Sequence, residues 1–252
     1  GQIIPYHFSS IDEKRLKKIL EKSEICINLK TCWDTKKYSY SQSIFDFNVK
    51  LISVLNNCNT PKKLIFFSGL GVDHFTNSLR DRAILDVENH IKTNLRNSII
   101  LRPGVILGGG DQFLKSLIPL FKLSYFIPLF GNGNKKFQPV HIEDICNFIY
   151  LSIKKGFKSN KTFELVGPNV FTYKAFYNLI AENLGKKRAF IPIPMRIAKI
   201  LIGIAEKTPF SPINLEQLSL FEKDNILQGS RMSFNYYKMK PQNILSAIKK
   251  SI

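Results

Sequence analysis

The front half of the chain alternates short apolar runs with amphipathic stretches, and this alternation limits the fold more than any other feature. Residues 2–8, 24–29, 63–68 and 98–102 read as strands, and the third of these ends in a Ser-Gly turn. Between them lie helical patterns. Asp12 opens one in which Leu16, Ile19 and Leu20 share a face opposite Lys14, Lys17 and Lys18, and residues 43–56 and 80–95 carry two more. Strands and helices in strict alternation predict parallel βαβ units with right-handed crossovers. Strands apolar on both sides predict a sheet covered on both faces.

The back half differs. Gly108-Gly109-Gly110 and Gly131-Asn132-Gly133 mark loops, and residues 162–166 read as a short strand. Residues 172–184 read as a helix closed by Gly185, 191–194 as an extended segment bounded by prolines, and 195–207 as a helix. Residues 229–252 are basic and aromatic and show no clear pattern. The expected organisation is a truncated nucleotide-binding domain over 1–160, with part of a second lobe inserted after 108. A small C-terminal α/β lobe and tail over 161–252 follows.

A formal net charge of +18 on 252 residues favours an anionic partner. The lysines are scattered and form no nucleic-acid motif, so an anionic membrane surface or other proteins are expected before nucleic acid; a bias toward Lys, Asn, Ile and Phe codons accounts equally well for much of the excess. Cys26, Cys32, Cys58 and Cys146 form no CxxC pair and no zinc-ligand pattern, so buried free thiols in a reducing compartment are expected, and no metal. The apolar stretch 197–205 is interrupted by Lys199 and falls far short of the ~20 residues of a spanning helix. The helix around it, with Ile197, Ile200, Leu201 and Ile204 flanked by Arg196, Lys199 and Lys207, suits a membrane surface, a protein groove or the core of a small lobe.

A dinucleotide-binding sheet needs a glycine-rich first turn, so that backbone N–H groups and a helix dipole face the pyrophosphate. No such turn accompanies the 2–8 strand, and no signal-peptide pattern is visible at the start. The 2–8 strand, the helix after it and the 24–29 strand match the third strand, crossover and fourth strand of such a fold. The first βαβ unit is therefore expected to be missing, and nucleotide affinity to be weak or absent without it.

An ordered set of motifs carries a family likeness: Cys26-Ile27-Asn28-Leu29, Trp33-Asp34-Thr35-Lys36, the run 63–68, the run 100–108 and Asp111-Gln112-Phe113-Leu114. The runs 137–144, 163–168, 191–194 and 208–212 continue it, so that the likeness extends from Gly1 to about Leu227. Together these segments resemble an atypical extended short-chain dehydrogenase. Within that superfamily they are similar to the NAD(P)H-binding accessory subunits of respiratory complex I (NADH:ubiquinone oxidoreductase) and their bacterial relatives. The resemblance implies an α/β, Rossmann-like parallel sheet with helices on both faces, and NADP(H) or NAD(H) as a structural cofactor. It also implies other complex I subunits as partners. The place it implies is peripheral, on the cytoplasmic face of a bacterial inner membrane or the matrix side of the mitochondrial one. An atypical NAD(P)-dependent reductase or epimerase, such as one in quinone biosynthesis, is the alternative.

The resemblance also directs attention to strand ends. Asn28 and Leu29 end the strand that would lie under the ribose and pyrophosphate; Lys30 and Thr31 follow, where the family usually continues with an apolar residue and Gly. A side chain there obstructs close backbone approach, although the Lys30 charge suits a phosphate. Ser68 and Gly69 end another strand, and Ser68 stands where the superfamily places a serine that polarises a carbonyl. Arg102, Pro103 and Gly104 follow the strand whose trailing backbone lies near the nicotinamide; a simple strand-ending turn is the other reading. The superfamily's Tyr and Lys, four residues apart, are not found at the positions counted back from Pro103. One register puts Arg80 and Ile84 there, and another Ser78 and Arg82. An arginine cannot shuttle protons near neutral pH, so Ser68 is a remnant and no catalytic residue is assigned. Arg80 and Arg82 are expected to be solvated helix charges or phosphate ligands. The Gly108 to Asp111 loop is expected to wall a pocket, and Asp144 to be an N-terminal helix charge.

Overall fold

The computed structural model describes residues 12–33, 35, 37–60, 62–73, 76–156, 160–208, 213–229 and 232–251. The strand expected at 2–8 lies outside the described residues. The chain divides into two compact units, Gly1–Arg102 with Lys155–Phe163, and Pro103–Lys154 with Glu164–Ile252.

The first unit holds α1 (Glu13–Glu21), β1 (Ile25–Asn28), a π-helical turn (Ser41–Asp46), α2 (Phe47–Asn56), β2 (Lys63–Phe67), α3 (Leu79–Asn94) and β3 (Ser98–Pro103). Its sheet runs β1-β2-β3, with β8 (Lys161–Leu165) beyond β3. β1 and β2 pair in parallel with Asn28 opposite Phe66, and β2 and β3 with Phe67 opposite Leu101. Consecutive Leu64, Ile65 and Phe66 are all buried, so the strand is covered on both sides, as a parallel sheet requires.

Local chemistry explains the helix ends. The Asp12 carboxylate caps α1 by accepting from the backbone N–H groups of Lys14 and Arg15. At the other end the buried Lys62 ammonium donates to the carbonyls of Glu21 and Ser23, placing a cation where the helix dipole is negative. The helix expected at 43–56 instead opens at Ser41 with the π turn. There Ser43 and Asn48 each bond a carbonyl four residues back, competing with the regular helical ladder.

In the second unit, β4 (Ile106–Leu107) pairs in parallel with β7 (Val140–His141), and β6 (Lys136–Phe137) pairs antiparallel with β9 (Phe171–Thr172). β5 (Phe126–Phe130) pairs in parallel with β10 (Ala189–Ile193), and each carries a proline, tolerated where a strand is bonded on one side only. The helices are α4 (Gln112–Leu123), α5 (Ile142–Lys154), α6 (Tyr173–Asn183), α7 (Met195–Ala205), α8 (Leu215–Ser219) and α9 (Leu245–Ser251). α4 is not evident from sequence because Gly108 to Gly110 precede it and Pro119 lies inside it. Asp111 rescues its start, accepting from Leu114 N–H as N-cap and from Gly108 N–H, so the Gly108 to Asp111 loop leads into a helix.

The tail that showed no pattern is part of the second core. Ile244, Ala247 and Ile248 are buried in one cluster with Phe121, Phe137, Phe176 and Tyr177. Ahead of α9, Gln242 donates its backbone N–H to Asp144 Oδ2 at 2.8 Å and its side-chain amide to Oδ1 at 3.2 Å. Asp144 sits in the first turn of α5, as expected, but it is buried and serves as the tail's anchor. The cysteines depart from expectation. Cys146 is exposed on α5, and Cys26, Cys32 and Cys58 are half-buried, because each lies at the margin of its core rather than inside it. Burial still pushes the Cys26 thiol up to about 11, so it stays protonated at neutral pH.

If α9 is a core element, Ile248→Ala destabilises the protein by about 3 kcal/mol through the cavity it leaves. Denaturant unfolding measures this, and an unchanged midpoint would show that the tail is dispensable.

Candidate functional site

The register of β1, β2 and β3 brings the ends of the three strands to one edge of the sheet, the carboxyl edge where open parallel sheets bind ligands. Six of the residues singled out from sequence gather in the first unit's part of that edge: Asn28, Leu29, Lys30, Ser68, Gly69 and Arg102. Pro103 and Gly104 belong to the second unit.

At the end of β1 the Asn28 amide is held from both sides. Its Nδ2 donates to Asn48 Oδ1 at 2.6 Å, and its Oδ1 accepts from Lys30 N–H at 2.9 Å. Asn48, fully buried, donates onward to the Ile44 carbonyl in the π turn. The side chain of Asn28 thus shapes the turn, while Leu29 projects outward, 63% exposed. The Lys30 ammonium lies 6.0 Å from the centre of the Phe47 ring.

The next turn is clamped by Arg80. Its guanidinium lies 3.8 Å from the centre of the Trp33 ring, Nη2 donates to Thr31 Oγ1 at 2.6 Å, and Nε donates to the Cys32 carbonyl at 3.0 Å. Arg82 donates from Nε to the Thr76 carbonyl. Arg80 is not the solvated charge expected, because it is half-buried on Trp33 and the Cys32 carbonyl, whereas Arg82 is exposed and solvated as expected while reaching the Thr76 carbonyl. Ser78 lies one residue before α3 as its N-cap, with its Oγ accepting from Asp81 N–H at 3.0 Å. Neither register of the expected Tyr-Lys pair therefore presents a proton-transfer couple.

At the ends of β2 and β3 stands a residue the sequence reading passed over. Glu88, on α3, is fully buried, and its carboxylate collects three donors from the strand ends. Ser68 Oγ–H donates to Oε1 at 2.5 Å, Arg102 Nε to Oε1 at 2.8 Å and Arg102 Nη2 to Oε2 at 2.7 Å. Lys92, one turn on, lies 3.4 Å from Oε2. A buried carboxylate is tolerable only with such compensation, and the two-point arginine contact is the strongest form of it. The signal was present in the sequence: Glu88 falls on the apolar stripe of α3 with Ile84, Val87 and Ile91.

In the second unit, Gly104 answers to the chain itself. A Cβ there would collide with the Gln138 carbonyl oxygen, and one at Gly167 would collide with that of Pro139. The side chain of Gln138 completes this crossing by donating to the Gly167 carbonyl and accepting from Leu227 N–H. α7 has two apolar faces. Ala198 and Ile202 pack inward on Leu218, Phe130 and Ile193, whereas Ile197, Ile200, Leu201 and Ile204 face outward and are 50% to 64% exposed. Among the described residues, no three His, Cys, Asp or Glu side chains converge as a metal site would need, and no helix is long and apolar enough to cross a membrane.

No family model matches the sequence. Curated relatives do. NADH dehydrogenase (ubiquinone) 1 alpha subcomplex subunit 9, mitochondrial, of Arabidopsis thaliana is 28% identical over 97% of this chain and 63% of its own length. Its Rattus norvegicus namesake is 27% identical over 84% of this chain and 56% of its own. The 40 kDa subunit of Neurospora crassa NADH-ubiquinone oxidoreductase is 23% identical over 62% of this chain and 41% of its own. The chain thus spans less than two thirds of these relatives. In structure it resembles a nucleoside-diphosphate-sugar epimerase of Staphylococcus aureus (TM-score 0.74, 12% identity, 94% of this chain and 80% of that one). It also resembles a dTDP-glucose 4,6-dehydratase of Bacillus anthracis solved with NAD (TM-score 0.66, 15% identity, 95% and 75%). The fold is that of these enzymes, a Rossmann-like α/β sheet, and the chain's homologues are mitochondrial NADH dehydrogenase subunits, in agreement with the ordered motifs.

The clamp at Arg80 has an optical reporter, since Trp33 is the chain's only tryptophan. Arg80→Ala removes the stacked cation and is expected to shift the emission maximum of Trp33 and cost about 1 kcal/mol of stability. An unchanged emission spectrum would mean that the stack does not form in solution.

Proposed function

We propose that this chain acts as a non-catalytic, nucleotide-binding accessory subunit of respiratory complex I, stabilising the junction of its peripheral and membrane arms. The observation that carries this reading is the 28% identity to the Arabidopsis thaliana subunit along 97% of the chain. The start of α3, where the superfamily's Tyr-Lys couple is expected, holds Arg80 and Ser78 in clamp and cap instead, and this supports a role without turnover. NADP(H) or NAD(H) would serve as a structural element held at Asn28, Leu29, Lys30, Ser68, Gly69, Arg102, Pro103 and Gly104. The Bacillus anthracis neighbour, solved with NAD, supports that class of ligand. The place proposed is the matrix side of the mitochondrial inner membrane, in peripheral association. The outward face of α7, beside Arg196 and Lys207, would rest on the anionic lipid surface or against a neighbouring subunit.

Gentle solubilisation of membranes, affinity capture of the native protein and mass spectrometry test the assignment. Other complex I subunits and a stoichiometric nucleotide are expected; a lone protein that turns over a nucleotide-sugar or quinone precursor would replace it with the reductase or epimerase reading.

The α7 surface has its own test. Ile200→Asp with Leu201→Asp is expected to leave the unfolding midpoint nearly unchanged, because both positions are more than half exposed. The pair should abolish cosedimentation with phosphatidylcholine vesicles that contain phosphatidylglycerol. If the wild type ignores such vesicles, the face belongs to a protein contact.

A further inference from the structure

Glu88 has no part in the nucleotide-binding reading, yet it organises two of the residues that do. The side chains it binds come from the ends of two different strands: Ser68 follows β2, and Arg102 is the penultimate residue of β3. A serine hydroxyl has one proton to give, and that of Ser68 goes to Glu88 at 2.5 Å, so it is not offered to a ligand. Arg102 commits Nε and Nη2 to the same carboxylate. The main chain is pinned as well, since Ser68 N–H donates to the Leu101 carbonyl at 2.8 Å. The next residue, Gly69, has nothing against it on the inside: an added Cβ would meet only Val72 Cγ2, at an ordinary 3.7 Å. Internal packing therefore does not require glycine there, in contrast to Gly104.

We propose that Glu88 is a positioning residue for the strand-end turn Ser68-Gly69, drawing the Ser68 and Arg102 side chains inward so that a nucleotide meets bare main chain at Gly69. This rests on the nucleotide-binding reading above and names how that edge is held. Backbone N–H groups kept still by a buried ion pair recognise the phosphate or carboxamide of a nucleotide without paying for their own ordering at the moment of binding.

Two measurements on the full chain test it: NADPH affinity by fluorescence, and amide hydrogen exchange at Ser68 and Gly69 without nucleotide. Glu88→Gln is expected to weaken NADPH about tenfold and to speed exchange at both amides, and Glu88→Asp to recover much of each. Gly69→Ala should weaken NADPH about tenfold with an unchanged unfolding midpoint, which keeps the test decisive should Glu88→Gln fold poorly. Ser68→Ala combined with Glu88→Gln should bind no more weakly than Glu88→Gln alone, since both act through one contact. Additive losses would show that the Ser68 hydroxyl touches the nucleotide itself, and full affinity in Gly69→Ala would show that the main chain there does not; either overturns the proposal. Unchanged exchange in Glu88→Gln also overturns it. If the wild type binds no NADPH while Glu88→Gln still speeds exchange, the nucleotide reading fails and the positioning role stands.

Discussion

Glu88 is where the first unit is held together by charge rather than by apolar contact. Its carboxylate, with no solvent exposure, joins α3 to the ends of β2 and β3 through Ser68 and Arg102. Burying that charge carries a large desolvation cost, which two-point pairing with Arg102 offsets. Such an ion pair contributes little net stability against an apolar substitute, but losing one partner strands the other and costs about 3–5 kcal/mol. Its consequence is geometric: the helix can take only one rotation and one height against the sheet. The helix carrying Arg80 is the same helix, so the clamp on Thr31, Cys32 and Trp33 inherits its position from Glu88.

Polar side chains at the other strand ends work the same way. Asn28 is held by Asn48 and Lys30, and Asn48 by the π turn ahead of α2. The carboxyl edge of the sheet is thus built from interlocked amides and ions that point inward. Enzymes of this fold need side chains that point outward from the same edge to reach a substrate. Here Asn28, Ser68 and Arg102 are instead tied to other side chains of the first unit.

The regular elements of the front half were legible because βαβ alternation writes itself into periodicity. β1, β2 and β3 and the helices between them fall within a few residues of the expected ranges. The π turn was not, because its cause is a pair of side-chain bonds to carbonyls, from Ser43 and Asn48, that leave no trace in apolar spacing. α4 was obscured by a proline that a helix of its length accommodates, and the tail by a helix too short to show two turns of pattern. For the site, residue types at the strand ends were readable; their orientation was not. Ser68 and Arg102 look like ligand contacts in the sequence, and only the position of Glu88 twenty residues after Ser68 shows them bonded to one carboxylate. An acid on an apolar stripe was the available clue, since a buried charge demands partners.

The second unit follows a different logic, one of aromatic packing and close chain crossings. Phe137 stacks on Tyr173 at 4.7 Å between centroids and meets Phe176 edge-on, so the antiparallel pair of β6 and β9 is fixed by rings as well as by its short ladder. Gly104 and Gly167 let two backbone segments pass against Gln138 and Pro139, closer than any side chain would permit. With its interior satisfied in this way, the unit can leave an apolar helix face outside. α7 packs through Ala198 and Ile202 and still presents Ile197, Ile200, Leu201 and Ile204. A helix that needed its larger aliphatic residues for its own core could not offer them outward. Here the small Ala198 lets α7 sit close to Phe130 and Ile193, and the larger side chains remain exposed.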